Sequence, residues 1–212
     1  MIAAKNYNVQ MVKLLINYAK KKSIYLMLNK RDIDDNYPLL YVHWNNNNEM
    51  AKKMIEYAND NDIILNINDK NNKGDFPLLL SVIRNNTKMV ELLIDYADKN
   101  NIILNLNEKN NNGKTALLQA IYNNNIKIIK LLMDYADKND IILEIYGMND
   151  YGNFPILQAL KSNNKSMADI IELMIEYNNK HNIIIPLNII NNNLNKDFFI
   201  TFICMSRDMI KR

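Results

Sequence analysis

Several residue types that mark common protein classes are scarce in this sequence. Its 212 residues include one cysteine, Cys204, and only four glycines and four prolines. A single cysteine excludes an intramolecular disulfide framework and favours a reducing compartment. Charged residues interrupt the apolar N-terminal segment, so it does not read as a secretory signal. No apolar run is long enough to span a membrane as a helix, and we expect an intracellular, cytoplasmic protein.

Charge of one sign is also lacking. The formal net charge is only +3, from 26 basic and 23 acidic residues. These residues alternate along the chain instead of forming the basic clusters typical of nucleic-acid surfaces. The sequence therefore predicts neither nucleic acid nor membrane as a partner. We expect a monomer.

Groups for catalysis are few. The two histidines, His43 and His181, fall at different places in the repeat described below, so His43 is expected to be a half-buried packing residue and His181 a solvated loop residue. Cys204 lies in an apolar segment with no base placed near it, which favours a small core residue over a nucleophile. The turn at Asp69–Gly74 begins like a calcium loop but has Lys73 at a ligand position. No phosphate loop or Cys/His metal cluster is present, so we predict no enzyme activity, no small-molecule substrate, no cofactor and no metal.

What the sequence does contain is a period. The segments MVKLLINYA, MAKKMIEYA and MVELLIDYA begin at Met11, Met50 and Met89, which are 39 residues apart. Other landmarks keep this spacing: Tyr18, Tyr57, Tyr96 and Tyr135; Pro38, Pro77, Ala116 and Pro155; Asp35, Gly74, Gly113 and Gly152. A further tyrosine, Tyr177, follows after 42 residues. Internal repetition of this length indicates a solenoid.

Each repeat has the pattern of two helices. A short segment such as Pro77–Ile83 or Ala116–Tyr122 opens the unit, and Pro is well tolerated at the first helical position. An Asn-rich turn and a longer segment with apolar residues at helical spacing follow. An apolar triplet, such as Ile102 to Leu104, is expected to pack the linker onto the preceding helix pair. Because one unit cannot bury its apolar faces alone, the sequence predicts an all-α solenoid of stacked helical hairpins, with Leu92, Leu93, Leu131 and Leu132 buried between repeats.

Asparagine makes up about a fifth of the chain, well above ordinary composition. Short runs such as Asn45–Asn48 and Asn110–Asn112 have two interpretations. They can be prion-like low-complexity segments, or polar loop filler in a gene of biased base composition. Since the runs are short and lie between apolar segments, loop filler is favoured.

The segment LNLNEKNNNGKTALLQAIYNNNIKIIKLLMDYA, residues 104–136, resembles an ankyrin repeat, with Gly113-Lys114-Thr115-Ala116-Leu117 at its opening and IIKLL at its end. The copies beginning at Gly74 and Gly152 match in the same way. The usual ankyrin repeat has about 33 residues, and the extra residues here fall after the second helix, as in residues 98–103. The His of the family's T-P-L-H motif is replaced throughout by Leu, and its Thr survives only at Thr115. The resemblance implies a fold of stacked helix pairs that bind proteins on a concave face.

The period divides the chain into one repeat array. Residues 1–34 form a partial first repeat, residues 35–73, 74–112, 113–151 and 152–195 form full repeats, and residues 196–212 form a C-terminal capping helix. The cap would pack Phe198, Phe199 and Phe202 onto the preceding repeat.

The repeat register projects a candidate binding stripe on the concave face that the resemblance implies. Its residues end each first helix or lie one helical turn earlier: Tyr41, Trp44, Asn45, Leu80, Ile83, Arg84, Gln119, Tyr122, Asn123, Gln158 and Lys161. Aromatic residues with an adjacent Arg are typical of interface hot spots. The alternative is that the extra linker residues cover this face and make the stripe part of the core.

Three functions agree with these features. The first is an adaptor or scaffold that binds a partner protein through the stripe. The second is a structural spacer from a larger repeat protein, since Met1 falls partway through a first helix. The third is a repeat domain that regulates a separate enzyme.

Overall fold

A computed structural model describes residues 1–147, residues 155 and 158, and residues 167–183. Within these ranges the chain forms helices and turns without strands. The helices are α1 (Ile2–Lys5), α2 (Val9–Lys22), α3 (Pro38–Trp44), α4 (Asn48–Asp60), α5 (Pro77–Ile83), α6 (Thr87–Lys99), α7 (Ala116–Tyr122), α8 (Ile126–Lys138) and α9 (Met167–Lys180).

The helices stack as two rows. The short helices α1, α3, α5 and α7 contact one another in succession, and so do the long helices α2, α4, α6, α8 and α9. Each short helix also packs on the long helix that follows it. This confirms the predicted all-α solenoid of helical hairpins. The boundaries between the units stay a prediction, and the proposed cap at residues 196–212, with Cys204, lies outside the described residues.

Local chemistry sets where the helices begin. Pro38 and Pro77 occupy the first turn of α3 and α5, where the absent N–H would have no helical partner. Each long helix from α2 to α8 has an Asn N-cap whose side chain accepts a hydrogen bond from a backbone N–H in the first turn: Asn8, Asn47, Asn86 and Asn125. The residue before the last three caps has a positive φ of 53° to 57° and is also Asn, which tolerates the left-handed region.

The core lies between the two rows of helices. Leu93 of α6 and Leu132 of α8 are fully buried there, as predicted. The expectation for Leu92 and Leu131 is wrong, since both are only half-buried against the edge of the core. Lys53 occupies the equivalent place in α4 and is likewise half-buried.

Tyrosine hydroxyls hold the linkers between repeats. The Tyr96 hydroxyl accepts a hydrogen bond from the Leu65 N–H at 2.9 Å and donates one to the Ile63 carbonyl at 3.4 Å. Three other tyrosines make the same pair of contacts to the preceding linker: Tyr57, Tyr135 and Tyr177. Each apolar triplet is thereby fastened to the long helix of the next repeat.

A row of asparagines joins successive linkers. The Asn68 amide Nδ2 donates to the Ile103 carbonyl at 2.7 Å, while its Oδ1 accepts from the Asn105 N–H at 3.1 Å. Asn29 and Asn107 make equivalent pairs of bonds to their next linkers. One side chain therefore satisfies a donor and an acceptor of a backbone that has no helix or strand of its own.

The turns before the short helices also stack. Asn110 Oδ1 accepts hydrogen bonds from the N–H groups of Asn112 and Lys114, and the Asn111 N–H donates to the Lys73 carbonyl of the preceding turn at 3.1 Å. Gly74 has a φ of 73°, and a Cβ there would come within 2.9 Å of the backbone of Asn110 and Asn111. Glycine at this place thus permits the close approach of the next turn.

Many asparagines have a structural role in addition to filling loops. At the caps, in the linkers and in the turns, Asn side chains form hydrogen bonds that recur with the repeat. At these places the amide supplies hydrogen-bond partners to backbone groups that have none within a helix.

His43 is fully buried, with 1% of its surface exposed, so the expectation of a half-buried residue is wrong. Its Nδ1 lies 2.7 Å from Ser81 Oγ, and Ser81 donates its own proton to the Pro77 carbonyl at 2.8 Å. Nδ1 is therefore the protonated nitrogen, and Nε2 is buried with no hydrogen-bond partner among the described residues. Burial lowers the pKa of His43 to about 3.

His181 is not a solvated loop residue as expected. Its Nε2 lies 2.7 Å from Asp137 Oδ1, and its ring stacks on Tyr177 with a centroid distance of 4.3 Å. The side chain thereby links the end of α9 to α8.

The tyrosine contacts generate a stability prediction. Tyr96→Phe leaves the backbone N–H of Leu65 without its partner, so the free energy of unfolding should fall by about 1–3 kcal/mol. The matched control is Tyr18→Phe, because Tyr18 is 57% exposed and its hydroxyl makes no hydrogen bond with the described residues. Urea unfolding of the two variants beside the wild type measures the difference. Equal losses would contradict the role of the hydroxyl as a bridge.

The buried histidine generates a pH prediction. In the unfolded chain a His titrates near 6.5, whereas the folded chain holds the pKa of His43 at about 3. The unfolded state therefore binds more protons, and stability should fall as the pH drops from about 6.5 towards 3. His43→Val introduces the residue that the next repeat has at the equivalent position, Val82. The free energy of unfolding of this variant should no longer show the decrease that His43 causes between about pH 6.5 and 4.5. Unfolding curves of the variant and the wild type that change in parallel with pH would show that His43 is not responsible.

Candidate functional site

The ends of the short helices form a line of partly exposed apolar side chains. Trp44 is 40% exposed and Tyr122 is 65% exposed, with the half-buried Ile83 at the equivalent place between them. We call this surface, together with the turns at residues 32–36, 71–75 and 110–114, the first-helix face. The linkers bind the long helices through Tyr96 and Tyr135, and they leave Trp44 and Tyr122 exposed to solvent.

One helical turn earlier the side chains differ in burial. Tyr41, Gln119 and Gln158 are half-buried. The expectation that Leu80 faces outward is wrong, because it is only 2% exposed and belongs to the core. Lys161 lies outside the described residues.

The residue after each short helix ties that helix to the previous one. Asn45 Nδ2 donates to the Ala4 carbonyl at 2.8 Å, and Asn123 Nδ2 donates to the Val82 carbonyl at 2.6 Å. At the equivalent position, Arg84 Nε donates to the Trp44 carbonyl at 2.9 Å. These three residues of the predicted stripe therefore stabilise the stack, while Arg84 is also exposed.

A groove of about 280 Å³ lies between α3 and the neighbouring turns. It is lined by Asp34, Asn36, Leu40, Tyr41, Trp44, Asn71, Asn72 and Lys73. The stripe predicted from sequence contributes only Tyr41 and Trp44 to it. The lining from the turns was missed, although the same 39-residue register would have placed Asp34 and Lys73 at equivalent positions.

Charges surround the aromatic residues of the groove. Lys73 Nζ lies 5.6 Å and the Arg84 guanidinium 5.4 Å from the centre of the Trp44 ring, within the range of cation–π attraction. The Tyr41 hydroxyl donates to Asp32 Oδ2 at 2.5 Å. Partial burial and this carboxylate raise the pKa of Tyr41 to about 12, so its hydroxyl keeps its proton.

Such an arrangement suits recognition of another surface. Aromatic rings, an arginine and a shallow groove provide apolar area and fixed hydrogen-bond donors. No cluster of three His, Cys, Asp or Glu side chains able to hold a metal occurs within the described ranges. The same part of the chain has no helix both long and apolar enough to cross a bilayer.

Comparison with known proteins agrees with this geometry. A family model described as ankyrin repeats (3 copies) matches residues 39–142 and 101–184. The crystal structure of EF0377, an ankyrin repeat protein, is 25% identical and superposes with a TM-score of 0.63 over 82% of this chain and 78% of that one. An ankyrin repeat domain from Acinetobacter baumannii AYE is 20% identical, with a TM-score of 0.63 over 83% of this chain and 79% of that one. No curated protein sequence matches significantly.

Ankyrin repeats are in general protein–protein interaction modules, and their fold is typically non-enzymatic. The matched residues cover more than half of the sequence, and the solved structures share its stacked helix pairs. The chain belongs to the ankyrin repeat family.

Proposed function

We propose that this chain is a non-catalytic adaptor or scaffold that binds a partner protein through the first-helix face. The observation that carries the proposal is the line of Trp44, Ile83 and Tyr122 at equivalent places in successive repeats. Large apolar side chains that reach solvent contribute little to folding, and a continuous exposed patch of them is typical of interaction sites. The single cysteine supports a reducing, intracellular location for this interaction.

The framework around these side chains supports the same function. Asn45, Arg84 and Asn123 fix the ends of the short helices to one another. The aromatic side chains therefore project from backbone that is already ordered. A rigid surface loses less conformational entropy on binding, which favours affinity.

The end surface of α2 favours the spacer as a second candidate function. Tyr18 is largely exposed there, together with Leu14 and Leu15, whereas the equivalent Tyr57 and Leu93 are buried by the preceding repeat. A surface of this kind can receive a further helical repeat.

Two truncations test the leading proposal. Trp44→Ala and Tyr122→Ala should each weaken binding by more than about 1 kcal/mol, as loss of a hot-spot residue does. Their stability should change far less than that of Leu93→Ala, where a core cavity costs about 2–5 kcal/mol. The matched control is Ile103→Ala, because Ile103 is a similarly exposed apolar residue in a linker away from this face.

The wild-type chain and the variants are used side by side to capture proteins from lysate, and each captured protein is identified and measured by titration calorimetry. Binding that survives both aromatic truncations would contradict the assignment of the face. If it is instead lost with Leu14→Ala and Tyr18→Ala, the end surface of α2 is the interaction site. A loss of stability in Trp44→Ala equal to that in Leu93→Ala would place the line of aromatics in the core.

A further inference from the structure

Lys73 and Arg84, which lie on the first-helix face, have no carboxylate partner among the described residues. Lys73 and Arg84 flank Trp44, and no carboxylate of the described residues lies within ion-pair distance of either. Neighbouring cations in the same row of turns behave differently, since Arg31 pairs with Asp69 and Lys70 pairs with Glu108. Lys73 and Arg84 therefore lack the carboxylate partner from another repeat that Arg31 and Lys70 have.

The fold does not need these two charges. Position 84 is equivalent to Asn45 and Asn123, whose neutral amides also donate to the end of the preceding short helix. Position 73 is equivalent to Asp34 and Asn112 in the flanking turns. The chain thus completes the same turns and caps without a cation in neighbouring repeats.

The guanidinium of Arg84 is held in place by two contacts with Trp44. Its Nε donates to the Trp44 carbonyl at 2.9 Å, and its Cζ lies over the Trp44 ring, 5.4 Å from the ring centre. The two Nη groups make no hydrogen bond with the described residues. Two such donors, fixed in one plane, match the two oxygens of a carboxylate.

The groove beside the cations limits the ligand further. Trp44 and Tyr41 give it an apolar wall, and its volume of about 280 Å³ admits a side chain. Asp34 also lines it, and Asp32 lies against the Tyr41 hydroxyl. These carboxylates repel a doubly charged phosphate more strongly than a singly charged carboxylate.

We propose that Lys73, Arg84 and Trp44 form a subsite for an Asp or Glu carboxylate of a partner protein, next to an apolar residue that enters the groove beside Tyr41. This inference rests on the proposed function and adds the chemistry of the segment that is bound. The carboxylate bonds end-on to the Arg84 Nη groups, and Lys73 contributes its charge. The apolar neighbour packs on the exposed part of the Trp44 ring.

Randomised peptides displayed on phage and selected on the full wild-type chain provide the test. Selected peptides should be enriched in Asp or Glu adjacent to an aromatic or aliphatic residue. Synthetic copies are then measured by fluorescence polarisation against the wild type and Lys73→Asn/Arg84→Asn, which carries the chain's own residues of positions 112 and 123. The control Lys88→Asn/Lys130→Asn removes two exposed cations from the long helices, so that its net charge is the same.

Affinity should fall at least about tenfold for the Lys73→Asn/Arg84→Asn chain and little for the control, with a weaker salt dependence remaining. Replacing the acidic peptide residue by Gln should cause a similar loss, and this arm does not depend on how the protein variant folds. Peptides without acidic enrichment, or equal binding to both double variants, would overturn the subsite. Tighter binding after replacement by phosphoserine would also overturn it in favour of a phosphate site.

The same peptides distinguish the two proposals. Peptides that lose affinity for Trp44→Ala but keep it for Lys73→Asn/Arg84→Asn would leave the first-helix face in place and remove only the carboxylate subsite. Peptides that bind Trp44→Ala and Lys73→Asn/Arg84→Asn as tightly as the wild type would contradict both the binding role of the first-helix face and the carboxylate subsite.

Discussion

The structure depends on how the backbone between repeats finds hydrogen-bond partners. After α2, α4 and α6 the chain runs through a linker that belongs to no helix or strand, yet its apolar residues are partly buried. A buried N–H or C=O without a partner destabilises a fold by about 1–3 kcal/mol. The tyrosine of the next long helix meets this need, because one hydroxyl accepts from Leu65 and donates to Ile63. The linker that contains the extra residues of each repeat is therefore hydrogen-bonded to the following repeat. The longer period is thus accommodated without leaving this backbone unpaired.

The contacts that hold the repeats together place few requirements on the side chains of the first-helix face. The tyrosines and the linker asparagines act on the long-helix side, and the caps act at the turns. On the other side, the last residue differs among α3, α5 and α7, where it is Trp44, Ile83 and Tyr122. Positions that share a framework but differ in chemistry are those where binding specificity can be built without disturbing the fold.

The sequence predicted the helices well because their signals are local and repeated. Pro77 and the following apolar residues marked a helix that begins and ends where expected, and the period placed the stack. Burial was less predictable, since it depends on how each helix is rotated about its axis. The neighbours Leu92 and Leu93 of α6 differ in burial for this reason, and Leu80 of α5 is buried where an outward position was expected. The asparagine contacts could not be predicted, because an amide's partner lies in another repeat and depends on how closely the units approach. The burial of His43 was underestimated for the same reason, since Ser81 comes from the next repeat.

The repeat also separates charges that stabilise the array from charges that face outward. Cations between long helices, such as Lys13 beside Glu49 and Lys127 beside Glu91, have carboxylate partners one repeat away. These exposed pairs add little stability individually, but they cancel charge along that side. Arg84 differs from these cations, because no carboxylate of the described residues pairs with it. Its charge is also not required at this position, since two other repeats have Asn there. The Arg84 Nε donates to the end of the preceding short helix, as the amides of Asn45 and Asn123 do. The other guanidinium donors are therefore not needed for this contact. These donors lie at the surface beside Trp44, where they favour a negatively charged group on the proposed partner.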